Sequence, residues 1–280
     1  MIENRPVSTF ISHTVLLAGV AIVLFPIWIT IVAASHDVAR LLEVPLPLGL
    51  GDKFFENLSH VLGEGVQDSS PLGLMLFNSL VMALMIAFGK ISISLLSAYA
   101  IVYFDFRFRM LFFWMIFLTL MLPVEVRILP TYEVVAKLGM LDTYWGLTIP
   151  LIASATATFM FRQTFLSVPD ELLEAARIDG AGPMRFFFDI LIPVSRTSIA
   201  AMFVILFIYG WNQYLWPLLV TTDKSMVTIV MSIKVMMESL EEYPQWHYIM
   251  MTALLAMIPP VLVVVGMQKL FVKGLTETEK

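Results

Sequence analysis

The run of residues 14–34 carries no charged side chain and is apolar all the way round a helical wheel. A helix of about 20 mostly apolar residues is long enough to cross a bilayer, because a helix satisfies its own backbone polar groups. Five further stretches read the same way: 72–104, 110–129, 144–161, 197–220 and 248–272. The chain is therefore expected to be an all-α polytopic membrane protein, with these six transmembrane helices forming one domain over residues 1–280. Composition agrees. Charged residues make up 14% of the chain and hydrophobic ones 59%, whereas a soluble domain carries about 25% charged. The stretch 72–104 exceeds one span, so tilt or overhang is expected. The stretch 14–34 is too long for a signal-peptide core and reads as a retained span.

Basic residues set the orientation. With both termini in the cytoplasm, Arg5, Arg107, Arg109, Arg162, Arg177, Arg185, Arg196, Lys269, Lys273 and Lys280 fall inside. Arg40, Lys53, Arg127, Lys137, Lys224 and Lys234 fall outside, and Lys90 lies within the second span. Tyr144, Trp145, Trp216, Trp246 and Tyr248 then sit at outer boundaries, where aromatic belts form. Prolines at 123, 150, 217, 259 and 260 are expected to bend their spans.

Much chemistry is excluded. The net charge of −5 offers no basic surface for nucleic acid. Without cysteine there are no disulfides, thiolate metal sites or cysteine nucleophiles. The four histidines, His13, His36, His60 and His247, show no ligand spacing. Gly89-Lys90 is preceded by Leu84 where a phosphate-binding loop needs its first glycine. No metal, catalytic or nucleotide site is expected on this chain, and transport or scaffolding is favoured over covalent chemistry.

The inner connection 162–196 is not a tether. Ser167, Pro169, Asp170 and Glu171 form a helix-start pattern of cap, first-turn proline and acids. Gly180 and Gly182 interrupt the helix, and a second helical stretch ends at Pro193. Glu174-Ala175-Ala176-Arg177-Ile178-Asp179-Gly180-Ala181 is followed, with nine residues between Gly180 and Ile190, by Ile190-Leu191-Ile192-Pro193. This order resembles the EAA motif in membrane subunits of bacterial ATP-binding-cassette (ABC) importers, with Ile192 where leucine is usual. Small residues there permit close approach of another protein, and Gly180 permits a turn that other residues resist. Leu141-Asp142-Thr143-Tyr144-Trp145-Gly146-Leu147 adds a likeness to the smaller-subunit branch of maltose-type permeases.

That resemblance implies a type I ABC importer permease fold, N-in and C-in, with a cytoplasmic helix-turn-helix coupling loop at 166–193. It implies that Glu174, Ala175, Ala176, Asp179, Gly180 and Ala181 dock on an ATPase. A second homologous permease as heterodimer partner, two ATP-binding subunits and an extracytoplasmic substrate-binding protein complete the machine. ATP and Mg would sit on the partner ATPase, in a bacterial inner membrane. The stretch around Pro123-Val124-Glu125-Val126-Arg127, the residues Met1-Ile2-Glu3-Asn4-Arg5-Pro6 and the run from Phe207 to Pro217 resemble permeases of glycerol-3-phosphate importers.

Polar side chains at membrane depth are the substrate-path candidates: Lys90, Arg127, Asn212, Gln213, Tyr214 and Asn78. Lys90 either meets an anionic ligand or snorkels, or pairs with the partner permease. Asn212 and Trp216, four apart, are expected on one helix face. Asn212, Gln213, Tyr214, Asn78 and Ser79 either line a polar path or hydrogen-bond between helices. Glu125 and Arg127 either flank the path or form an outer ion pair. A neutral sugar or polyol is the alternative cargo, and an ion-coupled carrier or a membrane scaffold is a third reading.

Overall fold

The computed structural model describes residues 6–63, 70–119, 124–238 and 244–277. Every regular element among them is helical. Pro123, Lys280 and the residues 1–5 noted above lie outside the described residues, as do the side chains of Glu125 and Lys273. Two compact units emerge: Met1–Gly73 with Ile233–Met257, and Leu74–Ser232 with Ile258–Lys280.

The first unit holds α1 (Pro6–Ala34), α2 (Val38–Leu42) and α3 (Phe54–Gly63). The last carbonyls of a helix lack intrahelical donors, and here a side chain of α3 supplies one. Asn57 Nδ2 donates to Ala34 O and to His36 O, both at 2.9 Å. Ser35 Oγ accepts from Gly51 N–H at 2.8 Å and donates to Val32 O at 2.7 Å. Trp28 Nε1 donates to Leu48 O at 3.0 Å. His60 stacks on Tyr248 with centroids 4.3 Å apart.

The second unit contains almost all of α4 (Leu72–Tyr103), then α5 (Arg109–Leu118), α6 (Val124–Lys137), α7 (Tyr144–Thr148) and α8 (Ala155–Leu166). It continues through α9 (Asp170–Ile178), α10 (Pro183–Phe186), α11 (Ile192–Val194), α12 (Arg196–Trp211) and α13 (Leu215–Val220). Besides α4, two helices cross the division between units: α14 (Ile229–Glu238) and α15 (Trp246–Glu277).

Three helices are long and apolar enough to cross a membrane: residues Thr9–Ala34 of α1, Leu72–Tyr103, and Trp246–Leu270 of α15. Two bent pairs pass the same test: Tyr144–Leu151 with Ala155–Leu166 at 53°, and Pro183–Val194 with Arg196–Trp211 at 75°. The expected uninterrupted span at 144–161 is thus broken; the 75° bend falls at Ser195, ahead of the expected span 197–220, which is interrupted instead between Trp211 and Leu215. Pro150 sits in a 3-10 turn, Ile149–Leu151, ahead of the Ser154 cap of α8. Pro217 has no N–H to give Gln213, so α12 stops at Trp211 and α13 restarts at Leu215. Over 110–129 the described residues form one ten-residue helix, α5, and the start of α6.

Small residues let the helices close on one another. A side chain on Gly210 would lie 2.9 Å from the Ala83 backbone, so α12 and α4 touch backbone to backbone there. Beside that contact a cluster of Met82, Ile86, Val135, Leu147, Leu151, Trp216 and Val220 fills the interior.

Candidate functional site

The loop after α8 has the shape its glycines and prolines dictate. The α9 helix begins with Asp170 and Glu171 in its first turn and carries Arg177 in its last, both favourable to the helix dipole. Its N-cap is Pro169, with no side-chain cap, while Ser167 closes α8 and donates to Thr164 O at 2.7 Å. The expected capping role of Ser167 is therefore corrected: its hydroxyl is spent on the preceding helix. Gly180 adopts φ +71°, its N–H donates to Arg177 O at 3.1 Å, and Ala181 N–H donates to Ala176 O at 2.8 Å. These two bonds form a Schellman stop, which requires a left-handed residue where glycine carries no penalty. Gly182 then caps α10, with Pro183 in its first turn. The chain widens into a π-helical turn, Phe187–Leu191, just ahead of Pro193.

Of the six docking candidates, Glu174, Ala175, Asp179 and Gly180 are exposed and Ala181 is half-buried. Ala176 is buried, 4% exposed, and its carbonyl accepts from Ala181 N–H in the turn. Ile178 takes a place among the surface residues that the motif alone did not indicate. It is 86% exposed on a short polar helix, with Met184 and Phe188 also exposed.

The loop is seated on the last turns of α4. Tyr99 Oη donates to Pro183 O at 2.8 Å, and Tyr103 Oη donates to Phe165 O at 3.2 Å. Their rings pack on Phe187 and Phe186, with centroids 4.8 and 5.3 Å apart. One helical turn separates the two tyrosines, so one face of α4 holds both flanks of the loop. Sequence reasoning missed this pair; the signal was two tyrosines four apart where the apolar span ends.

At the other end of α4 the bonding is polar. Asn78 is fully buried; its Nδ2 donates to Ser225 O at 2.8 Å and to Val227 O at 3.0 Å, and its Oδ1 accepts from Tyr144 Oη at 2.6 Å. Ser79 Oγ accepts from Ile229 N–H at 2.8 Å. Both residues take the interhelical role, and in this conformation Asn78 has no amide group left for a solute. Trp216 is buried and gives its indole N–H to Gly146 O at 3.0 Å, so it is an interior strut, not a belt residue. Asp142 accepts from Asp223 N–H at 2.8 Å, from Thr222 Oγ1 at 2.7 Å and from Thr222 N–H. The Asp223 amide and the Thr222 hydroxyl hold its carboxyl below the usual carboxylate range.

The remaining path candidates divide. Lys90 is buried, with Nζ 4.1 Å from the ring centroid of Tyr209. Arg127 is exposed on α6 and lines a small pocket of about 30 Å³ with Ile128, Thr131, Pro150, Leu151 and Trp216. Tyr209 packs on the interior cluster that includes Leu151 and Trp216, so the two cations flank one packed core. Asn212 is exposed at the C-cap of α12, and Tyr214 is exposed beyond it. Gln213 is half-buried and donates to Tyr209 O at 3.1 Å. The expectation that Asn212 and Trp216 share a helix face fails, because the chain breaks between them.

No group of three or more His, Asp or Glu side chains that could hold a metal occurs among the described residues. The described residues form apolar helices, several long enough to cross a membrane, and an exposed loop seated on the last turns of α4. The family of binding-protein-dependent transport system inner membrane components matches residues 90–277, and the chain belongs to it. It is a transport permease of that class, working with a binding protein. Among its relatives, the sn-glycerol-3-phosphate transport system permease protein UgpE of Rhizobium meliloti (strain 1021) is 59% identical, with all of both chains covered. The protein of the same name from Yersinia enterocolitica is 58% identical, again over all of both chains. Among solved structures, a bacterial ABC transporter involved in the import of the acidic polysaccharide alginate superimposes with a TM-score of 0.79. It is 18% identical and covers 96% of this chain and 98% of its own, a likeness of fold.

Proposed function

We propose that this chain is one of two permeases in an ATP-driven importer of sn-glycerol 3-phosphate or a related glycerophosphodiester in the bacterial inner membrane. Six spans place both termini and the loop 166–193 in the cytoplasm. A second homologous permease completes the membrane part, two ATPase subunits bind ATP and Mg below it, and a binding protein delivers solute from outside. Closure of the ATPases moves the loop, and the spans rock between outward- and inward-open states. Glu174, Ala175, Asp179, Gly180 and Ala181 contact the ATPase, joined by Ile178. Lys90, Arg127, Asn212, Gln213 and Tyr214 border the solute path.

The observation that carries this reading is the loop itself. A charged nine-residue helix, stopped at Gly180 and exposing Ile178 to 86%, is braced on α4 by Tyr99 and Tyr103. Leu172, Ile178, Met184 and Phe188 are all exposed in this loop, and a group of exposed apolar side chains rimmed by charges marks a protein contact surface. The cargo rests on the full-length relatives, whose names specify sn-glycerol 3-phosphate. The test is reconstitution of the assembled importer in proteoliposomes with ATP on the loop side. Labelled sn-glycerol 3-phosphate should enter only when ATP, the ATPase and the loaded binding protein are all present. Uptake by this chain without an ATPase, or ATP-driven uptake of neutral sugars in its place, would overturn the proposal.

A further inference from the structure

We propose that Lys90 is the anion-recognising group of the transport path: its ammonium is parked on the Tyr209 ring, and a phosphate-type oxyanion passing between Lys90 and Arg127 draws it off. This rests on the reading above that solute crosses beside this chain.

Lys90 is 7% exposed, and its contact within the second unit is the Tyr209 face at 4.1 Å. Among the described residues it has no hydrogen-bond or ion-pair partner. A buried cation without an anion is expensive to keep in a membrane and marks function more often than packing. The ring face compensates in part, because its quadrupole attracts a cation. It is a weaker partner than an oxyanion, which accepts short charge-assisted hydrogen bonds. Arg127 borders the same packed core, and no carboxylate pairs with Lys90 among the described residues. A dianionic phosphate monoester would supply that missing charge.

Lysine suits a transient role. Its ammonium is a point charge on a flexible stem, so it can leave the ring and return. Tyr209 is then a positioning residue that keeps the cation in the path between cycles. A lipid headgroup offers the same phosphate chemistry, but depth argues against it. Lys90 lies roughly 27 Å along α4 from Leu72 and roughly 20 Å from Tyr103, at a rise of about 1.5 Å per residue. Headgroups occupy the ends of such a helix, not its middle.

The experiment uses the assembled importer in vesicles of zwitterionic lipid, with saturating loaded binding protein. ATP-driven uptake of sn-glycerol 3-phosphate is compared with that of glycerophosphocholine, whose phosphodiester carries one negative charge. Lys90→Gln should lower monoester uptake about tenfold, as expected for a lost charged hydrogen bond, and lower diester uptake less. Lys90→Arg should retain most activity. Tyr209→Leu removes the ring face and should lose monoester selectivity, whereas Tyr209→Phe keeps that face and should keep the selectivity; this pair decides the matter if Lys90→Gln does not assemble. Equal loss for both solutes in an assembled Lys90→Gln complex, or no loss, overturns the proposal. So does a Lys90 effect that appears only after anionic phospholipid is added, which would assign the cation to a headgroup. If the parent complex moves neither solute, the importer reading fails first.

Discussion

The two ends of α4 are fastened by different chemistry. Around Asn78 the bonds are short, directional and polar: an amide satisfied on both sides, a serine accepting a backbone N–H, and Trp216 anchored to a carbonyl. Around Tyr99 and Tyr103 the contacts are broad ring surfaces, with one hydroxyl bond to each flank of the loop. Polar bonds hold one geometry or break. Tilted and edge-on rings bury broad apolar surface and do not depend on one short bond. The first end suits a fixed frame and the second suits a joint that passes movement on. Lys90 lies between them.

That contrast can be broken from the polar end first. Gly146 has no room for a side chain, because an added methyl would meet the Met140 carbonyl oxygen. Gly146→Ala should cost about 3 kcal/mol or more, the upper range for overpacking, and should greatly reduce the yield of folded permease on size-exclusion. Asn78→Ala leaves two carbonyls and the Tyr144 hydroxyl without partners. At about 1–3 kcal/mol for an orphaned buried polar group, thermal unfolding in nanodiscs should shift down by several degrees. At the aromatic end, Tyr99→Phe and Tyr103→Phe keep the rings and remove one hydrogen bond each. Each should cost only about 1 kcal/mol, yet lower uptake per ATP, since the loop loses a fixed tether. An unfolding cost as large as that of Asn78→Ala would erase the distinction between frame and joint.

The smallest effect concerns pH. The Asp142 carboxyl titrates below its unfolded value because it accepts from Asp223 and Thr222. A depressed carboxyl contributes stability above the ordinary carboxylate pKa of about 3.9, and that contribution is lost as pH falls through the lower folded value. Thermal unfolding of the parent should therefore weaken in acid more steeply than that of Asp142→Asn, and parallel curves would remove Asp142 from the frame.

How much of this was legible beforehand follows physical range. The loop was readable because its determinants are local: Gly180 permits the left-handed stop and Pro183 starts the next helix, each within a turn of its effect. Ser167 misled because two helix ends lie next to each other, and a serine can close one or open the next. Asn212 and Trp216 misled because four-residue spacing implies a shared face only on an unbroken helix, and Pro217 breaks this one. Asn78 was ambiguous because its partners lie 66 to 149 residues away in the sequence. No local pattern announces a saturated amide. Lys90 stood out as an intramembrane charge, but its aromatic partner on α12 required the fold.

On the proposed function, the loop carries the work of a separate ATPase into the spans. The most direct measurement is the number of sn-glycerol 3-phosphate molecules imported per ATP hydrolysed by the assembled complex, with Glu174→Arg and Ile178→Asp against the parent. The account predicts that each variant still assembles its membrane part but loses uptake and the extra hydrolysis evoked by loaded binding protein. Unchanged transport per ATP in both variants would contradict it.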